Sequence, residues 1–352
     1  YDVAYADATI TATGSGWEVT IDGETDTLTN IEWLGFSDQT VNIGGLDTIY
    51  GTPGFDILEG TEESDIIDGL AANDFIDGLG GDDTIYGGQG NDSLLGRAGD
   101  DVILGGNNHD NIALHEGDDY ADGGLGNDSI GGGDGDDTLY GGSGNDVIGG
   151  GTDDDFIDAG DDQDAASGGY GADTVMGGGG DDTLAGSFGH DYVDGGSGDD
   201  SMGGGLGNDT LVGLSGDDTI GAGEGDDQVF GGTGDDFLAG AEGNDTIFGG
   251  TGADTINSGA GDDMLYGGSF DNQADGATDI FVFNDLIGDG NDSVYGFEDG
   301  IDLIRLAGVG PGALSITNVD GGAQVEVGDT GFTLYVDGMT AGTLTSDDFI
   351  FV

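Results

Sequence analysis

The chain has no cysteine, no lysine and only two basic side chains, Arg97 and Arg305, against 74 acidic ones in 352 residues. Without cysteine there are no disulfides and no thiolate metal sites, and a thin fold loses its usual staple. Two arginines cannot make the positive patch that nucleic acid or an anionic membrane surface requires, so neither is expected as a partner. No stretch approaches the roughly 18 apolar residues of a bilayer span. No basic region followed by an apolar one opens the chain, so a cleavable signal peptide is not expected. Histidine is nearly as scarce: His109, His115 and His190 lie in no HExxH motif, and His109 and His190 hold turn positions that point to solvent. No G-x-S-x-G elbow is present either, and acid pairs such as Asp136-Asp137 read as turn residues before they read as glycosidase carboxylates. No enzyme is expected.

Glycine and acid are what the chain has in excess, with 82 glycines and a formal net charge of −72. A free chain so charged repels itself into an expanded coil, and it folds only if something cationic neutralises it. The order of the residues shows where. From Asp47 to Asp263 every ninth residue is aspartate, twenty-five in all, and two residues after each stands an apolar side chain such as Ile67, Ile85 or Leu94. Only Ala121 and Ala166 are small there, and most repeats carry Gly two residues before the Asp. The unit is G-G-x-G-x-D-x-U-x, with U apolar. Glycines take positive φ without steric cost and let a turn of carbonyls come close to an ion. The residues around U, often Thr-Ile-Tyr or Thr-Leu-Tyr, have β propensity and suit a very short strand. Such a strand buries almost nothing alone, so neighbouring repeats must stack, which is the logic of a solenoid.

A coil of two nonapeptides to a turn follows from a second regularity. Acid precedes the key Asp at Asp82, Asp100, Asp118, Asp136 and Asp154, whereas the interleaved series reads Asn73, Asn91, His109, Asn127, Asn145 and Gln163. The residue after U separates two faces in the same way. One carries Tyr50, Tyr86, Tyr140, Phe230, Phe248 and Tyr266, and the other Gly131, Gly149, Ser167, Ala185, Gly203 and Gly221. The small face would let another sheet or an ordered surface approach closely, which makes self-association through it an expectation.

This nonapeptide resembles that of the RTX, or haemolysin-type calcium-binding, family over residues 44–268. The resemblance implies an all-β fold, a right-handed parallel β-roll with two nonapeptides per coil and short β caps at both ends. It also implies Ca²⁺ held between stacked coils, each ion shared by the Asp of one repeat and that of the second repeat after it, with turn carbonyls. Hard oxygen donors and the lack of soft ligands suit that ion independently. The metal-binding residues so implied are Asp47, Asp56, Asp83, Asp92, Asp101, Asp119, Asp128, Asp137, Asp146, Asp173, Asp182, Asp191, Asp200, Asp209, Asp218, Asp227, Asp236, Asp245, Asp254 and Asp263. Up to about 23 shared sites would result, and filling them would bring −72 to about −26. Glu63, Ala72, Asn108, Asp153 and Asp162 replace the glycine two before the Asp, and Leu114-His115 replaces a Gly-Gly pair; weaker or missing ions are expected around Glu63-Ala72 and Asp153-Asp162.

Residues 1–43 read as alternating strands, similar to segments that precede RTX arrays, and form the expected N-terminal cap. Residues 269–352 resemble the C-terminal cap of secreted RTX proteins, including serralysin-type proteases. The closing Asp347-Asp348-Phe349-Ile350-Phe351-Val352 is similar to terminal signals read by type I secretion systems. The expected function is a secreted structural module that folds on calcium after export, as part of a surface layer or filament. The second reading is a folding and export tail of a larger exoenzyme or adhesin, since the chain opens at Tyr1 without an initiating methionine. Ice binding would need a regular Thr/Asn row, and the third turn position instead runs Gln89, Asn107, Leu125, Ser143, Asp161, Gly179, Ser197.

Overall fold

The computed structural model describes the backbone of short strands between residues 8 and 42, and residues 48–268, 275–284, 290–328 and 330–352. It is an all-β parallel solenoid of about 12 turns with 18 residues per turn. Each strand of the roll pairs in parallel with the second strand after it, as in Thr84↔Val102 and Ile85↔Ile103 on one sheet and Ser93↔Asn111 and Leu94↔Ile112 on the other. Successive strands alternate between the two sheets, one of which holds 15 strands in an unbroken parallel stack. The stack runs through Ala159 to Gly168 without a slip: Phe156↔Thr174 and Ala165↔Thr183 keep the same spacing.

Burial follows the nonapeptide. In Thr138–Ser143 the inward positions are Leu139 and Gly141, while Thr138 and Tyr140 face out. The interior is therefore one layer thick, a double column of Ile, Leu and Val: Ile67, Ile85, Ile103 and Leu139 against Ile76, Leu94, Ile112 and Ile148. Burying a side chain of that size contributes about 1.5–3 kcal/mol. The first coils are less regular, with strands of two or three residues, Ile49–Tyr50, Ile57–Glu59 and Ile66–Asp68, before the six-residue strands begin at Thr84–Gln89.

The two outer faces sort as expected. The small face aligns Gly131↔Gly149, Gly149↔Ser167, Ser167↔Ala185 and Gly203↔Gly221. On the bulky face Phe230, Phe248, Tyr266 and Tyr295 stack ring on ring at 5.1, 4.5 and 4.8 Å. That face is not wholly apolar, because Asp122, Asp158 and Asp194 interrupt it at every second coil.

At the C-terminal end the roll continues into Ile280–Phe283 and Leu303–Leu306 on one sheet and Asn291–Tyr295 on the other. An antiparallel meander, Leu314–Val319, Gly322–Val327 and Thr333–Asp337, closes that second sheet. The acidic-then-apolar terminus folds as its last strand on the first sheet: Phe349–Phe351 lies parallel to Leu303–Leu306, and Asp348 closes a capping box with Thr345. Near the N-terminus Ala8–Thr13, Gly16–Ile21 and Glu24–Leu28 make an antiparallel sheet.

Candidate metal-binding site

The aspartates of the repeat sit at the two bends of the coil, where a strand on one sheet has just ended and the next has not begun. From Asp65 to Asp263 each is buried, Asp83, Asp101 and Asp245 to 1 % exposure. The first oxygen has a fixed task. From Asp74 onward, Oδ1 of each Asp accepts the backbone N–H of the Asp one coil earlier, at 2.9 Å from Asp119 to Asp137 and 2.7 Å from Asp128 to Asp146. The residue just before the Asp builds a second ladder of opposite sense: Asp118 N–H donates to Asp100 Oδ1 at 3.1 Å, and Asn127 N–H to His109 Nδ1 at 2.6 Å. His109 and His190 are thus exposed turn acceptors, as their positions suggest.

The second oxygen is different. From Asp74 to Asp263 every Oδ2 of the ladder is buried with no hydrogen-bond partner in the protein. An orphaned buried acceptor costs about 1–3 kcal/mol, and more when charged, and here the cost recurs at every bend. The same stress falls on the carboxyl protons. Burial pushes the carboxyls of Asp83, Asp101, Asp137 and Asp155 up to about 7 and that of Asp254 up to about 8. Backbone hydrogen bonds counter this only in part, while neighbouring aspartates add to it. No protein cation answers the ladder: among the described residues the ion pair is Arg97 with Asp77 at 2.9 Å, on an outer face.

Carbonyl oxygens converge on the same place. A Cβ built on Gly132, the first residue of its turn, would meet Asp137 Oδ2 at 2.1 Å and the carbonyl of Gly150, one coil on, at 2.4 Å. Glycine is therefore required at that point by two oxygens closing over its Cα. At the fourth turn residue the demand is conformational as well, since Gly135 has φ of +125° and its Cβ would strike the Gly117 carbonyl at 2.0 Å. Among the described residues no three His, Cys, Asp or Glu side chains cluster as a cage. A cation at these bends would be held by one Oδ2 per coil together with carbonyls of adjoining coils, all hard donors, which fits Ca²⁺.

The named residues do not all look alike. Asp47 lies outside the described residues. Asp56 spends its Oδ2 on Thr52, whose N–H and hydroxyl both donate to it, and Asp65 does the same with Thr61. Ala72, Asn108, Asp153 and Asp162 do adopt positive φ, between 75° and 79°, as a fourth-position glycine would. Leu70, Leu79, Arg97, His115, Ser187, Leu214 and Ala241 carry the same burden at the second turn position. A left-handed residue other than glycine costs about 1–2 kcal/mol.

Three ladder members escape the sequence period altogether. Asp254 N–H donates to Asp279 Oδ1, Asp263 N–H to Asp292 Oδ1, and Asp279 N–H to Asp302 Oδ1, all at 3.0 Å, across 25, 29 and 23 residues. The period of nine is lost there, but the triplet of Asp, one residue and a buried apolar side chain survives in Asp279-Ile280-Phe281, Asp292-Ser293-Val294 and Asp302-Leu303-Ile304.

A parallel β-solenoid whose bends carry a ladder of buried carboxylate oxygens without partners, beside turn carbonyls, is built as a cation-binding repeat protein. The family model for the RTX calcium-binding nonapeptide repeat matches nine stretches from residues 44–76 to 240–274, the first six of them overlapping. The chain belongs to that family, and calcium is the ion its repeats bind. By sequence, none of the curated proteins matches it. Among solved structures it is similar to a hyperactive, Ca²⁺-dependent, β-helical antifreeze protein from an Antarctic bacterium, at 24% identity and TM-score 0.49 over 76% of this chain and 86% of that one. It is also similar to the extracellular lipase LipA from Serratia marcescens, at 19% identity and TM-score 0.32 over 56% of this chain and 40% of that one. A third is the AlgE6R3 subunit of the Azotobacter vinelandii mannuronan C5-epimerase, at 21% identity and TM-score 0.17 over 44% and 80%.

Proposed function

We propose that the chain is a secreted structural module that is unfolded where calcium is scarce and folds when calcium fills its bends outside the cell. The observation that carries this reading is the run of buried Oδ2 atoms without partners. A fold that confines so much negative charge needs the ion as part of its folding free energy. Circular dichroism with millimolar Ca²⁺ and then with excess EGTA tests it. β structure should appear with the ion and vanish on chelation, and a spectrum indifferent to EGTA would refute the reading.

Residues 44–268 form the calcium-dependent unit in this proposal, 1–43 and 269–352 its caps, and the terminal strand Phe349–Phe351 doubles as a type I secretion signal. The role we assign is a subunit of a surface layer or filament. The small-residue face favours it: Gly131, Gly149 and Gly221 lack positive φ, and a Cβ on any of them would touch nothing within 4 Å, so nothing within the chain requires glycine there. The face forms two shallow grooves of about 450 and 420 Å³. Replacing Ala185, Gly203 and Gly221 by Lys together should abolish calcium-dependent multimers in light scattering while leaving the monomer folded; multimers that persist would sink the assembly role. The other role, a folding and export module of a larger exoenzyme or adhesin, would be chosen instead by a catalytic or adhesive domain encoded upstream of Tyr1.

A further inference from the structure

Resting on the calcium reading, a finer distinction separates turns that hold an ion from turns that do not. At the glycine-first turns the Asp Oδ2 closes over the first residue throughout, and at most of them a carbonyl of the next coil does so too. A Cβ would stand 2.6 Å from Asp92 Oδ2 and 2.6 Å from the Gly105 carbonyl at Gly87, and 2.3 and 2.5 Å from Asp236 Oδ2 and the Gly249 carbonyl at Gly231. Real Cβ atoms essentially never come within 3.0 Å of another atom, so the two oxygens converge only over a residue without a side chain.

Among the described turns of the repeat, from Gly51 to Asp263, four place a side chain there: Leu114 ahead of Asp119, Ala159 ahead of Asp164, Ala222 ahead of Asp227 and Ser258 ahead of Asp263. Leu114, Ala159 and Ala222 are fully buried members of the apolar core. Their aspartates keep the first oxygen in the ladder, with Asp119 Oδ1 accepting Asp101 N–H at 2.7 Å, Asp164 Oδ1 accepting Asp146 N–H at 2.7 Å and Asp227 Oδ1 accepting Asp209 N–H at 2.8 Å. Their Oδ2 atoms are buried without a partner like the others, but with Oδ1 pinned and a methyl or larger group on the first residue, Oδ2 must stand farther from that residue than it does over glycine. Ser258 stands apart, because its own buried hydroxyl lacks a partner and is a hard oxygen donor beside Asp263.

We propose that Leu114, Ala159 and Ala222 exclude calcium from their turns, so that the ion ladder is interrupted at Asp119 and Asp227 on one edge of the roll and at Asp164 on the other. At these bends apolar packing replaces the ion as the local stabiliser. The chain therefore takes up fewer ions than its aspartates would allow.

Native mass spectrometry of the full chain at saturating calcium counts the ions directly. Ala159→Gly and Ala222→Gly remove only a methyl group, and each should bind one ion more than the parent, the double variant two more. Gly132→Ala, at an intact turn, should bind one ion fewer. Parent and both Ala→Gly variants with equal counts would overturn the proposal, as would a Gly132→Ala protein that folds and keeps every ion. If Gly132→Ala does not fold, the Ala→Gly counts alone decide. A parent chain that binds no calcium would overturn the calcium reading itself, an outcome distinct from equal, non-zero counts.

Discussion

Changing Asp137 to Asn should shift stability in opposite directions with and without calcium. The substitution keeps the shape of the side chain and its Oδ1, which accepts Asp119 N–H at 2.9 Å, but replaces the partnerless Oδ2 by an amide that cannot ligate a cation. Without calcium the aspartate is a burden. Burial and the charges of Asp119, Asp118 and Asp136 raise its carboxyl to about 7, so the metal-free fold favours the proton and loses stability as pH rises from about 4 through 7. A rise of about three units corresponds to at most roughly 4 kcal/mol. The neutral Asn escapes that cost at pH 8. With calcium the sign reverses, since a lost site forgoes about 2.7 kcal/mol when free calcium stands a hundredfold above its dissociation constant. The assay is circular dichroism on parent and variant, with refolding by trimethylamine N-oxide in EGTA and unfolding by urea in millimolar calcium. The variant should fold at lower osmolyte and unfold at lower urea. A variant weaker in both conditions, or stronger in both, would refute the argument that Oδ2 is held for a cation.

The same charges govern the metal-free chain as a whole. With folded values raised to about 6 for Asp146 and Asp236, about 7 for Asp83 and Asp101, and about 8 for Asp254, protons should substitute in part for calcium. In EGTA, β structure should grow as pH falls from 8 to 5, and a β signal that falls or stays flat would contradict this. In the core, Leu139→Ala should cost about 2–5 kcal/mol in calcium-loaded urea unfolding, and Leu58→Ala, in the irregular first coils and 6% exposed, distinctly less. Glycine should prove essential by position and not by number. Gly135→Ala forces a Cβ to 2.0 Å from the Gly117 carbonyl and should unfold the local coil, whereas Gly131→Ala, with open space, should be neutral or stabilise by about 0.4–1 kcal/mol, read as a change in thermal midpoint.

The coil, its register and its two faces were legible because every element of the fold is tied to a fixed position in the nonapeptide. Ile85 and Ile103 stack because two nonapeptides separate them, and no long-range choice intervenes. Three things were not legible. The inward first position of the turn looks in the sequence like an ordinary glycine with tolerated replacements, and only the approach of Asp137 Oδ2 and the Gly150 carbonyl to Gly132 shows what Leu114 or Ala222 must change. The second turn position tolerates Leu214 and Arg97 at positive φ, which propensity alone argues against, because the ladders on both sides over-determine the bend. Asp279, Asp292 and Asp302 were hidden by insertions, since a search by period loses them as soon as a coil lengthens.

Those last three aspartates show that coil length is a convention of the roll's interior and no condition of its continuity. The chain leaves the ladder near Gly268, returns at Asp279, leaves again and returns at Asp292, and each time the Asp and its buried partner two residues on resume the stack as though nothing had intervened. A bend of this kind lets the ladder resume after added residues. Foreign sequence introduced between an inward glycine and the following Asp, at a coil near this end, should be carried outward while the column beneath it stays closed, which would let one rigid rod display inserted peptides along its edge.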